Sequence, residues 1–171
     1  MDSLDRGQVE NETEEMRKKR EEILAKSPAP KFFKMRAQML KQGRSDTQVA
    51  KSDWLSARVK VYASGGENGL HNHSGEDHMH VVLQGSACFY GPRGEEAHVN
   101  QYEGIMLPKG AFYRFHATSK EPLVLLRLAA RRADGKPGRA NVYGDPLKAD
   151  SEENGKVQVV PMDGVWWGAK E

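Results

Sequence analysis

Apolar positions recur with a two-residue period through the middle of the chain and with no regular period at its start. Arg58-Val59-Lys60-Val61-Tyr62-Ala63 alternates polar and apolar side chains, the pattern of a half-buried strand, and Ser64 to Gly69 reads as a turn. Val81 to Gln84 and Ser86 to Tyr90 predict two strands about a tight bend at Gly85, and Gly91-Pro92-Arg93-Gly94 turns the chain again. Met106 to Pro108, Phe112 to Ala117 and Leu123 to Ala129 predict three more strands. Short strands separated by turns at this frequency predict an all-β chain, an antiparallel barrel or jelly roll in which few sheet edges stay exposed.

The flanks read differently. Residues 8–26 are dominated by Glu, Lys and Arg, with only Val9, Met16, Ile23 and Leu24 apolar, which predicts a solvated helix or partly ordered arm. Ser27-Pro28-Ala29-Pro30 ends it. Phe32, Met35, Met39 and Leu40 then fall at helical spacing with Gly43 just beyond, predicting a second helix that lies on the barrel. After Arg131 the chain becomes rich in Gly, Pro and Asp, with one late strand predicted at Val157 to Val160. The Trp166-Trp167 pair predicts a tail folded back onto the rest. The expected organisation is a helical arm over 1–45, a barrel core over 46–135 and an extension over 136–171 packed on the barrel.

Composition narrows the partners. With 171 residues the chain can bury a sizeable core, and a net charge of +2, spread among acids, argues against a nucleic-acid-binding surface. A single cysteine, Cys88, excludes an internal disulfide and suits a reducing compartment. The start, Met1 to Asp5, lacks the basic-then-apolar order of a secretory signal, and no apolar run is long enough to span a bilayer. The expectation is a cytoplasmic protein with neither nucleic acid nor membrane as partner.

Candidate chemistry is concentrated in Gly69-Leu70-His71-Asn72-His73-Ser74-Gly75-Glu76-Asp77-His78. His71 and His73, separated by one residue, project from one face if the segment is a strand, so both imidazoles can reach one ion, and His78 can close that ion's face. Parity puts His80 on the same side as His78, as a proton shuttle beside ion or substrate. Glu76 and Asp77 read as solvating the loop, with one carboxylate able to orient an imidazole. Arg58 and Arg127 can reach inward for a carboxylate, although an arginine in a strand more often faces out. His98 reads as solvent-exposed and Cys88 as a small buried apolar residue.

The His71/His73 pair, the glycine at position 85 and the Pro108-Lys109-Gly110 turn together resemble the two motifs of the cupin superfamily, over roughly residues 57–130. The place of that family's glutamate is taken by His78, that of its second-motif histidine by Tyr113, and Ala117 stands where the family often has Asn. The resemblance implies a cupin-type barrel holding one divalent transition metal through His71, His73 and His78, with iron first and zinc, manganese or nickel as alternatives. Tyr113 or His116 would be the fourth ligand. Alternation favours Tyr113, whereas a bulge of one residue would bring His116 inward, and both stay open here. Tyr113 and His80 are the candidate acid/base residues. The implied function is a metal-dependent enzyme acting on a small anionic metabolite, with oxygen-dependent dioxygenase chemistry foremost. Isomerase, lyase or cyclase chemistry and a non-catalytic binding role are the alternatives, and a homodimer is the expected assembly.

Overall fold

The computed structural model describes residues 12–131, 133, 138–147, 155 and 157–170. The chain divides into two units, Met1–Phe32 and Phe33–Glu171. In the first, helix α1 (Glu14–Ala25) starts at Thr13, whose side-chain oxygen accepts from the Met16 amide at 3.2 Å, and has Glu14 and Glu15 in its first turn. None of its residues is buried, as expected of a helix with so few apolar positions. Residues 1–11 of the expected arm lie outside the described residues.

The second unit is built from strands. A five-stranded antiparallel sheet runs in the order β2 (Arg44–Lys51), β3 (Leu55–Tyr62), β10 (Leu123–Arg131), β5 (Glu76–Gln84), β8 (Gly104–Leu107). A three-stranded sheet runs β7 (Glu96–Val99), β6 (Ala87–Tyr90), β9 (Arg114–Ala117). Tyr62, Val82, Leu123 and Leu125 from the first sheet and Ala87, Phe89 and Phe115 from the second form one buried cluster between them. This is the jelly-roll arrangement of an all-β antiparallel fold, and the two sheets remain separate hydrogen-bonded units. Gly85 makes the bend from β5 to β6 at φ +80°, and a Cβ there would stand 2.4 Å from Ser119 Oγ, so both backbone and space require glycine.

The predicted helix around Phe32 to Leu40 is corrected. Residues Arg36–Gln42 form strand β1, paired antiparallel with β12 (Val160–Gly168), and Phe32 is 96% exposed. The register shifts between Gln38 and Leu40, so Met39 and Leu40 are both buried in succession. That irregularity imitates helical spacing in the sequence. Gly43, expected as a helix stop, instead joins β1 to β2 at φ +81°. Positive φ serves both roles, so the residue alone does not distinguish them.

The late strand lies a little further along than predicted, and it carries the two tryptophans: Trp167 is opposite Ala37 and Trp166 opposite Gln38. Trp167 packs with Ala37, Met39, Val59, Val61 and Val124 in a second cluster on the other side of the five-stranded sheet. Because Val59 and Val61 face that cluster, Arg58, Lys60 and Tyr62 face the space between the two sheets.

Candidate metal centre

Glu76, His78, His80 and Val82 alternate along β5 and share its inward face, so one strand delivers three polar groups to the interior. His73 comes from the two-residue strand β4 (Asn72–His73). His71 pairs with Tyr113 through the backbone: its amide donates to the Tyr113 carbonyl at 3.1 Å, and the Tyr113 amide donates to the His71 carbonyl at 2.9 Å. The two sequence motifs are thereby joined directly.

The side chains converge. Ring centroids lie 4.0 Å apart for His73 and His78, 5.2 Å for His71 and His73, 4.8 Å for His71 and Tyr113, and 5.8 Å for His80 and Tyr113. His73, Glu76 and His78 each present a donor atom, all within 4.8 Å of one another. Glu76 Oε1 is 2.8 Å from His78 Nε2 and 3.6 Å from His73 Nδ1. The Arg127 Nη2 lies 2.7 Å from the same carboxylate oxygen.

Burial sets the charge states. Loss of water lowers the pKa of His71 to about 4 and of His73 to about 3, and it also lowers His78 and His80. All four rings are neutral at pH 7 and keep a lone pair. The neighbouring imidazoles of His73 and His78, helped by the Arg127 guanidinium, hold the Glu76 carboxyl well below the usual carboxylate range, so it is ionised. Burial pushes the Tyr113 phenol above its ordinary value of 10.0, so it keeps its proton.

These groups fit a divalent metal. Neutral imidazoles and a carboxylate are the donors such ions take, and His78 Nδ1 and both ring nitrogens of His80 are buried without a hydrogen-bond partner. The Nδ1 of His71 lies 2.7 Å from the Gly69 carbonyl, which can only accept, so Nε2 carries the lone pair.

The centre opens on a cavity of about 270 Å3. Its charged lining is Arg44, Arg58, Lys60, Arg127 and Arg139 against Asp46, with His71, His73, His80 and Tyr113 on the metal side. Both Arg58 and Arg127 therefore face inward. Asp46 accepts from Arg58 Nε at 3.0 Å and is 3.6 Å from Lys60 Nζ, and Arg44 Nη1 donates to the Gly66 carbonyl at 2.9 Å and to Asn68.

Of the residues singled out from sequence, the fold brings His71, His73, His78, His80 and Tyr113 together and leaves His116 apart. The β6–β9 register runs without a bulge, with Cys88 opposite His116 and Phe89 opposite Phe115. His116 thus takes the face opposite Phe115, is exposed, and accepts from Arg114 Nη1 at 2.9 Å. The proposal that a bulge turns it toward the ion is corrected. Glu76 reads from sequence as solvating the loop between the histidines or orienting an imidazole; strand β5 starts at Glu76, which gives it the parity of His78 and adds it to the candidate donors.

Residues 58–128 match the profile of the cupin domain family. No curated protein matches the chain. Among solved structures, an uncharacterised conserved protein with a double-stranded beta-helix domain from Klebsiella pneumoniae superposes with TM-score 0.50 at 18% identity, covering 58% of this chain and 79% of that one. A structure from Thermus thermophilus gives TM-score 0.50 at 23% identity, covering 56% and 90%. A cupin superfamily protein from Desulfitobacterium hafniense gives 0.45 at 18%, covering 52% and 78%.

Proposed function

We propose that this chain, which carries a cupin domain, is a metal-dependent enzyme acting on a small anionic metabolite, with oxygen-dependent dioxygenase chemistry as the leading reaction. The observation that carries this reading is the His73-Glu76-His78 donor set beside a cavity lined mainly by cations. Two imidazoles and one carboxylate are the donor set of mononuclear non-haem iron sites that handle oxygen, so iron is the expected metal, and zinc, manganese or nickel can use the same donors. A bound ion would supply Lewis acidity and open coordination positions.

The chain's own residues do the rest. Arg44, Arg58 and Lys60 form a wall that attracts and orients a carboxylate. Tyr113 holds a proton at its hydroxyl near neutral pH, and His80 beside it offers ring nitrogens without a hydrogen-bond partner to which a proton can pass. That pair also supports a second reading, an isomerase, lyase or cyclase working by proton transfer alone.

Anaerobic loading with iron(II), followed by oxygen uptake against a panel of small carboxylic acids, separates the readings. Oxygen consumed in proportion to substrate lost supports the dioxygenase. Conversion without oxygen selects the proton-transfer reading, and saturable binding without conversion under either atmosphere overturns the enzyme.

A homodimer accompanies this proposal. Among the described residues β12 pairs only with β1, and it leaves Val165 and Trp166 about half exposed along an open edge. A second copy would cover that edge. Light scattering giving the monomer mass at micromolar concentration overturns it.

A further inference from the structure

We infer that the outer face of the three-stranded sheet carries a second metal site, in which Cys88, His98 and Glu96 bind a thiophilic divalent ion such as zinc. Cys88 lies between Ala87 and Phe89, both of which belong to the interior cluster, so its sulfur takes the opposite side of β6. On β7 His98 is directly opposite Cys88, and Glu96, two residues away, shares the face of His98. Sγ, an imidazole nitrogen and a carboxylate oxygen from these residues all lie within 4.8 Å of one another.

The spacing suits an ion. Bonds of about 2.3 Å to sulfur and about 2.0 Å to nitrogen put tetrahedral donors roughly 3.5 Å apart. Cys88 Sγ and His98 Nε2 are 4.0 Å apart, so a small side-chain adjustment closes the site. The sulfur is buried whereas His98 and Glu96 are exposed, which places the soft ligand inside and the harder ones toward solvent, with a position left for water. Sulfur, nitrogen and oxygen together select zinc-like ions over magnesium or calcium. Binding releases the thiol proton to solvent. The site is separate from the histidines of the interior, which contain no sulfur donor.

Because Cys88 is the only cysteine, a thiolate-to-cobalt charge-transfer band in the near ultraviolet reports this site alone. Cobalt(II) titrated into the full chain should raise that band to saturation, and added zinc should bleach it. Cys88→Ser should lack it. The exposed positions allow His98→Ala and Glu96→Ala without loss of fold, and each should weaken cobalt binding at least about tenfold. The double variant His73→Ala/His78→Ala should keep the band. No band at micromolar cobalt, or a band that His98→Ala leaves unchanged, overturns the inference.

Discussion

Nη2 of Arg127 lies 2.6 Å from Nε2 of His78 and donates to Glu76 Oε1 at 2.7 Å. A guanidinium can only donate and an ionised carboxylate can only accept, so Nε2 of His78, which is also 2.8 Å from Glu76 Oε1, serves one of them at a time. One cationic nitrogen thus stands among the donor atoms that would take an ion, neutralising Glu76 and crowding Nε2 of His78. An entering metal has to displace it.

Arg127→Met keeps most of the side-chain length and removes the competing charge. Affinity for manganese(II) or cobalt(II) at the interior centre, measured by calorimetry, should rise about tenfold, while the metal-free chain loses stability because Glu76 is left without its counterion. Weaker metal binding would mean that Arg127 serves to orient Glu76 rather than to compete.

Replacing both His73 and His78 with alanine should abolish stoichiometric metal at the interior centre, read as elemental content after gel filtration in a Cys88→Ser background. His116→Ala should leave that content unchanged, since its ring lies on the outer face. Full metal retention in the double variant would overturn the donor assignment.

Tyr113→Phe removes only a hydroxyl, so the sheets should pack as before, and in the Cys88→Ser background metal content should stay near one per chain. Turnover should fall roughly a hundredfold or more, the loss typical of an acid/base group. Unchanged turnover on the true substrate would reduce Tyr113 to a packing residue.

The interior histidines make the metal-free fold acid-sensitive. Unfolded imidazoles take up protons below their ordinary value of 6.5, whereas folded His71 and His73 stay neutral down to about 4 and about 3. The unfolded state therefore binds more protons in this window, and stability falls as pH drops from 6.5 toward 4, by about 1.4 kcal/mol per pH unit for each group fully affected. Urea unfolding of the metal-free chain at pH 7 and pH 5 measures it. Equal midpoints at both would contradict the burial of these rings.

Gly85→Ala should cost roughly 1–3 kcal/mol, since it combines a positive φ with a clash against a tethered hydroxyl: Ser119 Oγ accepts from the Ser86 amide and donates to the Glu121 carbonyl. Thermal unfolding checks it. An unchanged transition would mean that the bend relaxes freely.

The sequence was legible where burial alternates. Val59 and Val61 against Arg58 and Lys60 announce β3, and the glycine at 85 marks the bend between β5 and β6. It was opaque where other forces set the structure. Strand β2 has no buried residue and is held by pairing to β3, so no hydrophobic period betrays it. β1 hides behind its irregular register. At the site, parity along β5 reveals His78 and His80, and the same parity would have reached Glu76 had the strand been started earlier. The inward direction of Arg58 and Arg127 depends on β1 and β12 covering the other side of the sheet, a long-range pairing that no local pattern encodes.

The charged wall of the cavity and the candidate ion-binding donors come from different strands. Arg44 and Asp46 belong to β2 and Arg58 and Lys60 to β3, whereas His73 lies on β4 and Glu76 and His78 on β5. Under the proposed function, substitutions along β2 would change which acid is admitted without disturbing the donors. Selectivity and reactivity could then be altered independently, and β2, none of whose residues is buried, is the segment through which this fold could be retargeted by evolution or by engineering.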